Sequence, residues 1–303
     1  MKELTAQHMK EYVANNPTLV QKKNTSKKGI YVLKYKNRVF YKNLWTDELR
    51  EMRGTLIDED YNIISIPFRK IFNRGERKTD IDRDEMVVAS QKINGFMACA
   101  TWHNKELLVS TTGTIDSDFA KLAYKWIEPY WRVMDQYNGL SFCFEIVDPS
   151  DPHIIAEEAG VYLLNVRMKN WNAETHYFAQ NTLDNIASLS GLKRPKWEYG
   201  RFGDFVNEVK TVQHEGFAIY SVEDSNIELK MKSPKYLVSK FLGRVNLDKL
   251  EKILDNDTES KKNMDEDFYP VIDYIGETFG EFKTLERQQR IEYVRTFIEG
   301  NIL

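Results

Sequence analysis

Lys92 stands three residues before Gly95 in the run Gln91-Lys92-Ile93-Asn94-Gly95-Phe96, between two strand-like segments. A lysine attacks phosphorus only as the neutral amine, and its ordinary pKa is about 10.4. Such a lysine needs a partly desolvated setting and other cations nearby to favour the free base. A glycine at this spacing lets the backbone approach a nucleotide closely. By itself the pair is a weak signal, because a lysine ahead of a glycine is common in turns.

Three further stretches carry groups that suit the same chemistry. Phe142–Val147 sets Glu145 in an apolar strand. Alternation puts Phe142, Phe144 and Ile146 on one face and Cys143, Glu145 and Val147 on the other. An acid there wants a ribose hydroxyl, a cation or a metal. Taken alone, a structural salt bridge at a strand edge explains it better. Glu215-Gly216 gives a second acid at a strand start, and Leu229–Lys232 places Lys230 and Lys232 two residues apart. That spacing aims both ammonium groups at one face, and two adjacent like charges in a site imply an anion between them. Taken alone, the lysines fit the solvated face of an edge strand.

The elements that must position these residues read as short strands followed by helices. Strand patterns cover Ile30–Tyr35, Gly54–Ile57, Ile63–Ile66, Met86–Ser90, Phe96–Trp102, Leu107–Ser110, Ser141–Val147, Val161–Val166, Phe217–Ser221 and Ile227–Met231. Polar turns separate them, the signature of antiparallel sheet. Arg38–Lys42 reads as a further strand, joined to Ile30–Tyr35 by a hairpin at Lys36-Asn37. The lysine-rich stretch Lys22–Lys28 reads as a solvated loop. Helical spacing appears over Leu4–Ala14, from Asp116 or Ser117 to Glu128, over Thr182–Leu189 and over Phe205–Val212.

After Lys232 the pattern changes. Leu247, Leu250 and Leu254 fit one helix face, Phe268, Val271, Ile272, Ile275 and Phe279 a second, and Ile291, Val294, Phe297 and Ile298 a third. Asp255–Asn263 reads as a polar loop. The expected organisation is a mixed α+β body over residues 1–233 and a small all-helical module over 234–303.

Composition sets loose bounds. The 303 residues, 42% hydrophobic and 13% aromatic, suffice for one large core or two ordinary ones. Net charge is −3, from 43 basic and 46 acidic side chains. Near neutrality leaves a nucleic-acid partner open, since phosphate binding needs only a local basic surface. Cys99 and Cys143 lie in apolar runs and read as buried free thiols. No apolar leader or membrane-length run is present, so a soluble, cytoplasmic protein is expected.

In this order the stretches Lys92–Gly95, Phe142–Val147, Val161–Arg167, Glu215-Gly216 and Leu229–Lys232 resemble the motifs of covalent nucleotidyltransferases, the ligases and mRNA capping enzymes. The resemblance spans roughly residues 50 to 236. It is closer to the phage RNA ligase 1 family, of the tRNA-repair type, on Arg53-Gly54, Phe68-Arg69-Lys70-Ile71-Phe72-Asn73, Glu145–Pro149 and Leu164–Arg167. The resemblance implies an α+β, antiparallel-sheet nucleotidyltransferase (ATP-grasp-like ligase) domain. It implies an enzyme that seals RNA 5′-phosphate and 3′-hydroxyl ends, tRNA among them, with ATP and Mg²⁺ or Mn²⁺. It would act in the cytoplasm, that of the host if the protein is phage-encoded.

Residue by residue, the resemblance makes Lys92 the nucleophile that becomes lysyl-AMP. Arg53, Lys70, Lys230 and Lys232 would contact phosphates, and Phe72 would stack on adenine. Glu145 would hold the ribose, Glu215 would hold a divalent metal, and Gly95, Gly113 and Gly216 would line the nucleotide. Two positions depart from the family pattern. Asn94 stands where an acid is usual, keeping hydrogen bonding but losing a charge, and Thr112 stands where a basic residue usually precedes the glycine. A DNA ligase or capping-type enzyme usually continues into a β-rich module, which the helical tail here does not resemble. A non-catalytic nucleotide- or RNA-binding relative is the remaining alternative, with Asn94 and Thr112 in its favour.

Overall fold

Alternating burial along the chain sorts twelve strands of the described residues into three four-stranded sheets. The computed structural model describes residues 4–151, 153–171, 177–244, 246–255 and 268–301. In chain order the strands are β1 (Val20–Asn24), β2 (Tyr31–Tyr35), β3 (Arg53–Ile57), β4 (Ile63–Ser65), β5 (Met86–Gln91), β6 (Phe96–His103), β7 (Glu106–Thr111), β8 (Leu140–Val147), β9 (Gly160–Met168), β10 (Trp197–Arg201), β11 (Gly216–Ser221) and β12 (Ile227–Lys232). Helices α1 (Ala6–Asn15), α2 (Asn37–Tyr41), α3 (Asp47–Glu51), α4 (Asp118–Ile127), α5 (Trp131–Gln136), α6 (Gln180–Ser190), α7 (Phe202–Glu208), α8 (Pro234–Arg244) and α9 (Leu247–Leu254) run among and after them. The chain forms two compact units. The first holds the described residues up to Ile71 together with Ile93–Glu198 and Tyr220–Glu228. The second holds Phe72–Lys92, Tyr199–Ile219 and the described residues from Leu229 on.

In the first unit, β1-β2-β3-β4 and β7-β6-β8-β9 are both antiparallel sheets. The expected alternation in β8 holds. Phe142, Phe144 and Ile146 enter a core with Ala98, Ala100, Leu163 and Val166 of neighbouring strands, covered by Ala123 and Ile127 of α4 and Leu183 of α6. Each fully buried phenylalanine contributes roughly 1.5–3 kcal/mol. On the opposite faces of β6 and β8, Cys99 and Cys143 sit directly across from each other as buried free thiols. Ser117 caps α4 by accepting the Ala120 N–H, and the Asp116 carboxylate instead accepts the Ser26 N–H.

Two local expectations are corrected here. Arg38–Lys42 is no strand, because β2 is already paired on one edge by β1 and on the other by β3. The segment folds instead as α2, burying Val39. The lysine-rich stretch is not all loop, since Val20–Asn24 forms edge strand β1. Only Val20 is buried there, which is why its sequence reads as solvated. The Lys22 ammonium lies 4.1 and 4.5 Å from the ring centres of Tyr31 and Tyr61.

The second unit is built on the sheet β10-β5-β11-β12. Val87, Ala89, Phe217, Ile219, Leu229 and Met231 line one face and pack on Phe202, Phe205 and Val206 of α7. With Leu229 and Met231 of β12 so engaged, Lys230 and Lys232 share the other face, as their spacing implies. β11 and β12 are joined by only a short turn, which allows only antiparallel pairing. The strand β10 and the helices α5 and α8 were not legible from periodicity.

Helices follow Ser233, as expected, and group in the same compact unit as this sheet. α8, α9 and the helices Tyr269–Glu277, Phe279–Thr284 and Arg287–Asn301 bury Phe241, Leu250, Phe268, Val271, Ile275, Val294 and Ile298. Tyr274 stacks on Tyr293 and Phe297 at 5.1 and 4.2 Å between ring centres. Of the expected polar loop, residues 256–263 lie outside the described residues. No described helix is long and apolar enough to cross a membrane.

Candidate active site

In the second unit, Lys92 follows β5 and its backbone N–H donates to the Gly216 carbonyl at 2.8 Å. Its ammonium Nζ lies 3.0 Å from Glu215 Oε1. Glu215 is almost wholly buried while Lys92 keeps part of its side chain exposed. A buried carboxylate is retained where a cation or hydrogen-bond donors compensate its lost hydration, and the Lys92 ammonium supplies that charge. The Glu215 carbonyl in turn accepts the Ser233 N–H at 2.9 Å, and Ser233 Oγ donates to the His214 carbonyl at 2.7 Å. The end of β12 thereby fixes the backbone on which the acid is carried.

His214 belongs to this arrangement and was not singled out by sequence. Its Nδ1 accepts the Gly216 N–H at 3.2 Å, so Nδ1 carries no proton. Burial holds the imidazole below its ordinary pKa, which agrees with that role. The only signal in the sequence is its place immediately before Glu215. Gly216 itself has φ +136°, and a Cβ there would lie 2.0 Å from the Met231 carbonyl oxygen. Glycine is required at this point because β11 starts against β12, and no larger residue fits.

Lys230 is tied to the segment that carries Phe72. Its N–H donates to the Phe72 carbonyl at 3.0 Å, and its own carbonyl accepts the Arg74 N–H at 3.0 Å. Phe72 is buried, with the Arg77 guanidinium 5.3 Å from its ring centre. The Lys232 ammonium lies 5.6 Å from the ring of Tyr236. The second unit therefore brings Lys92, Glu215 and Gly216 into direct contact, and places Phe72 beside Lys230. Lys230 and Lys232 stand on β12, two strands from β5, about 10 Å away at ordinary strand spacing.

In the first unit, the Gly95 N–H donates to Glu145 Oε1 at 3.2 Å. A Cβ at Gly95 would fall 2.3 Å from the Ile146 carbonyl oxygen and 3.0 Å from Glu145 Cγ. The closeness this glycine permits is thus an approach to the protein's own strand β8. Asn94 is also explained by its surroundings. Its Oδ1 accepts the Ile155 N–H at 3.0 Å, and its N–H donates to Glu157 Oε1 at 3.4 Å. Asn94 thus holds the 155–157 segment through its side-chain oxygen and its backbone N–H.

Arg53 opens β3, its Nη1 3.9 Å from Met97 Sδ, and Met97 is the cross-strand partner of Glu145. Gly54 has φ +99° and a Cβ there would lie 2.8 Å from Thr112 backbone atoms. Gly54 is thus pressed against the Thr112 backbone. Gly113 has open space around its Cβ position, so no steric demand for glycine exists there. Lys70 is buried. Its N–H donates to the Arg50 carbonyl at 2.8 Å, and Arg50 Nε donates to the Lys70 carbonyl at 3.3 Å. The Lys70 ammonium lies 5.5 and 5.4 Å from the rings of Phe40 and Trp45.

A divalent metal can be tested against these groups. Among the described residues no three His, Cys, Asp or Glu side chains cluster closely enough to form a metal cage. Glu215 is a single buried carboxylate. Magnesium is commonly held by one or two carboxylates, with phosphates and water completing its shell. The donor set therefore fits a metal that arrives with a nucleotide rather than a resident structural ion.

A model of the RNA ligase family matches residues 51–236, more than half of the chain, and the chain belongs to that family. RNA ligase 1 of Bacteriophage TS2126 is 27% identical over 204 residues, which are 61% of this chain and 50% of that protein. The chain thus spans about half the length of the curated relative it matches. Among solved structures, an archaeal ATP-dependent RNA ligase superposes with a TM-score of 0.59 at 14% identity, over 94% of this chain and 73% of its own. A protein of Aquifex aeolicus titled as an ATP-dependent DNA ligase superposes with a TM-score of 0.59 at 14% identity, over 96% and 78%. At such identities the likeness is one of fold: the α+β, antiparallel-sheet nucleotidyltransferase fold of ATP-dependent ligases, with helices at the C-terminal side.

Proposed function

We propose that this protein is an ATP-dependent RNA ligase that joins 5′-phosphate and 3′-hydroxyl RNA ends through lysyl-AMP and RNA-adenylate. The observation that supports the reading is the Lys92–Glu215 pair at 3.0 Å, which brings together the two residues that the resemblance makes nucleophile and metal-binding acid. In the first step the neutral Lys92 amine attacks the α-phosphorus of ATP, a P–N bond forms, pyrophosphate leaves and the amine gives up a proton. In the second, a 5′-phosphate oxygen of RNA attacks the adenylyl phosphorus, and Lys92 leaves and is reprotonated. In the third, a 3′-hydroxyl attacks the 5′-phosphorus, releasing AMP and the hydroxyl proton.

Every step transfers a phosphoryl or nucleotidyl group, so positioning and charge stabilisation do most of the catalysis. Arg53, Lys70, Lys230 and Lys232 act on phosphate charge, Phe72 stacks on adenine, and Glu145 orients the ribose. Gly95 and Gly216 hold the backbones beside Glu145 and Glu215, and Gly113 is a further nucleotide-lining residue in this reading. A magnesium or manganese ion held with Glu215 supplies positive charge that screens the phosphates and favours the free amine. The domain boundary near Ser233 and a role for the helices after it in choosing RNA belong to the same proposal, as does action in the cytoplasm.

The test uses ATP, Mg²⁺ and a 5′-phosphorylated single-stranded RNA. Joined or circular RNA, with transient RNA-adenylate, is the expected product. Sealing of nicked duplex DNA with no RNA product contradicts the reading and moves it to the DNA ligases.

A further inference from the structure

The segment that delivers Lys70 is held by a buried ion pair with no role in the chemistry above. Glu51, the last residue of α3, and Arg167 of β9 are both fully withdrawn from solvent, with Arg167 Nη2 2.7 Å from Glu51 Oε2. Burial works against the Arg167 charge, yet the Glu51 carboxylate outweighs it and the guanidinium is held above its ordinary pKa. A buried pair of this kind is weak evidence for stability, because desolvation offsets most of the attraction. Its other contacts show what it holds.

Arg167 Nη1 donates to the Pro67 carbonyl at 2.8 Å. Arg69 Nε lies 3.4 Å from Glu51 Oε1, and Arg69 Nη2 lies 3.1 Å from Asp47 Oδ1. The Arg69 N–H donates to the Tyr177 hydroxyl at 3.3 Å, Phe68 stacks on the Tyr177 ring, and the Arg167 guanidinium lies 5.3 Å from that ring. Three successive residues before Lys70 are therefore each fixed to Glu51, Arg167 or Tyr177. Lys70 itself is clamped by two hydrogen bonds to Arg50, the neighbour of Glu51. The segment 67–70 has no regular secondary structure of its own, so these side chains supply its constraint.

We infer that Glu51, Arg167 and Tyr177 are positioning residues that set the Pro67–Lys70 segment so that the Lys70 ammonium meets a nucleotide phosphate. The inference rests on the proposed assignment of Lys70 to phosphate binding. Its consequence is coupling: loss of the Tyr177 hydroxyl acts on nucleotide through Lys70.

The experiment measures the dissociation constant for α,β-methylene-ATP with Mg²⁺ by calorimetry, in the full chain. Four proteins form a double-mutant cycle: wild type, Lys70→Ala, Tyr177→Phe and the double variant. Tyr177→Phe keeps the stacked ring and loses only the hydroxyl, so it retains the fold where Glu51→Gln would leave a buried guanidinium unpaired. A second cycle uses Glu51→Gln wherever that variant gives folded protein. The expected result is weakening on the order of 5-fold for Tyr177→Phe in the wild-type background, the scale of one lost hydrogen bond, and no further weakening once Lys70 is alanine. Equal weakening in both backgrounds overturns the inference, as does no weakening in either. If Lys70→Ala binds the analogue as wild type does, the inference fails, and lysyl-AMP formed by wild type keeps the ligase reading standing. If the coupling appears but wild type forms no lysyl-AMP from ATP, the ligase reading fails and the positioning role stands.

Discussion

Gly95 in the first unit and Gly216 in the second meet the same physical demand and serve different ends. In each, a neighbouring strand occupies the space of a Cβ: the Ile146 carbonyl at 2.3 Å from the Gly95 position and the Met231 carbonyl at 2.0 Å from the Gly216 position. In each, the crowding strand carries side chains of the proposed site, Glu145 on β8 and Lys230 with Lys232 on β12. The difference lies in the acid. Glu145 accepts a backbone N–H from Gly95, a neutral donor. Glu215 is paired with the ammonium of Lys92, the nucleophile in the proposed function. One acid meets a neutral donor, the other a cation.

The comparison sharpens under substitution. Gly216→Ala combines overlap with backbone and a φ of +136° that an L residue avoids. It should cost at least about 3 kcal/mol by denaturant unfolding and remove lysyl-AMP formation. Gly95→Ala meets equal crowding without the unfavourable φ, and should cost about 1–3 kcal/mol, the scale of overpacking. Equal losses at the two positions would show that crowding alone sets the cost.

Asn94 gives a smaller effect. Asn94→Ala strips the acceptor from the half-buried Ile155 N–H and should lower stability by about 1 kcal/mol. Asn94→Asp keeps the acceptor and should leave the melting temperature close to wild type. If Asn94→Asp unfolds as readily as Asn94→Ala, repulsion with Glu157 dominates the site. Gly113→Ala, with open space at its Cβ position, should change stability by less than about 0.5 kcal/mol. A larger loss would show that Gly113 is under a constraint its surroundings do not reveal.

Much of this was legible in the sequence, for reasons that can be named. The alternation of Phe142, Phe144 and Ile146 against Cys143 and Glu145 is a period-2 signal on a strand buried on both faces, and it survived folding intact. The shared face of Lys230 and Lys232 follows from the same rule. β1 was illegible because an edge strand with one buried residue looks like solvated chain. α2 was misread because Val39, Phe40 and Tyr41 favour strands locally, while the only adjacent edge, that of β2, was already filled. Asn94 looked like a defect in a motif, and its hydrogen bond to Ile155 could not be seen, since the partner lies about 60 residues along the chain. His214 and the Glu51–Arg167 pair were hidden for the same reason: their meaning lies in what they touch.

The central claim is that Lys92 is the nucleophile and that Glu215 is its partner. The direct measurement incubates the purified protein with α-labelled ATP and Mg²⁺, without RNA, and follows label that stays on the chain through a denaturing gel. Wild type should acquire label, Lys92→Ala none, and Glu215→Gln should label more slowly by roughly 10²-fold, the scale for a group acting on the transition state. Label retained by Lys92→Ala at the wild-type level would contradict the account, because another side chain would then be the one that takes AMP.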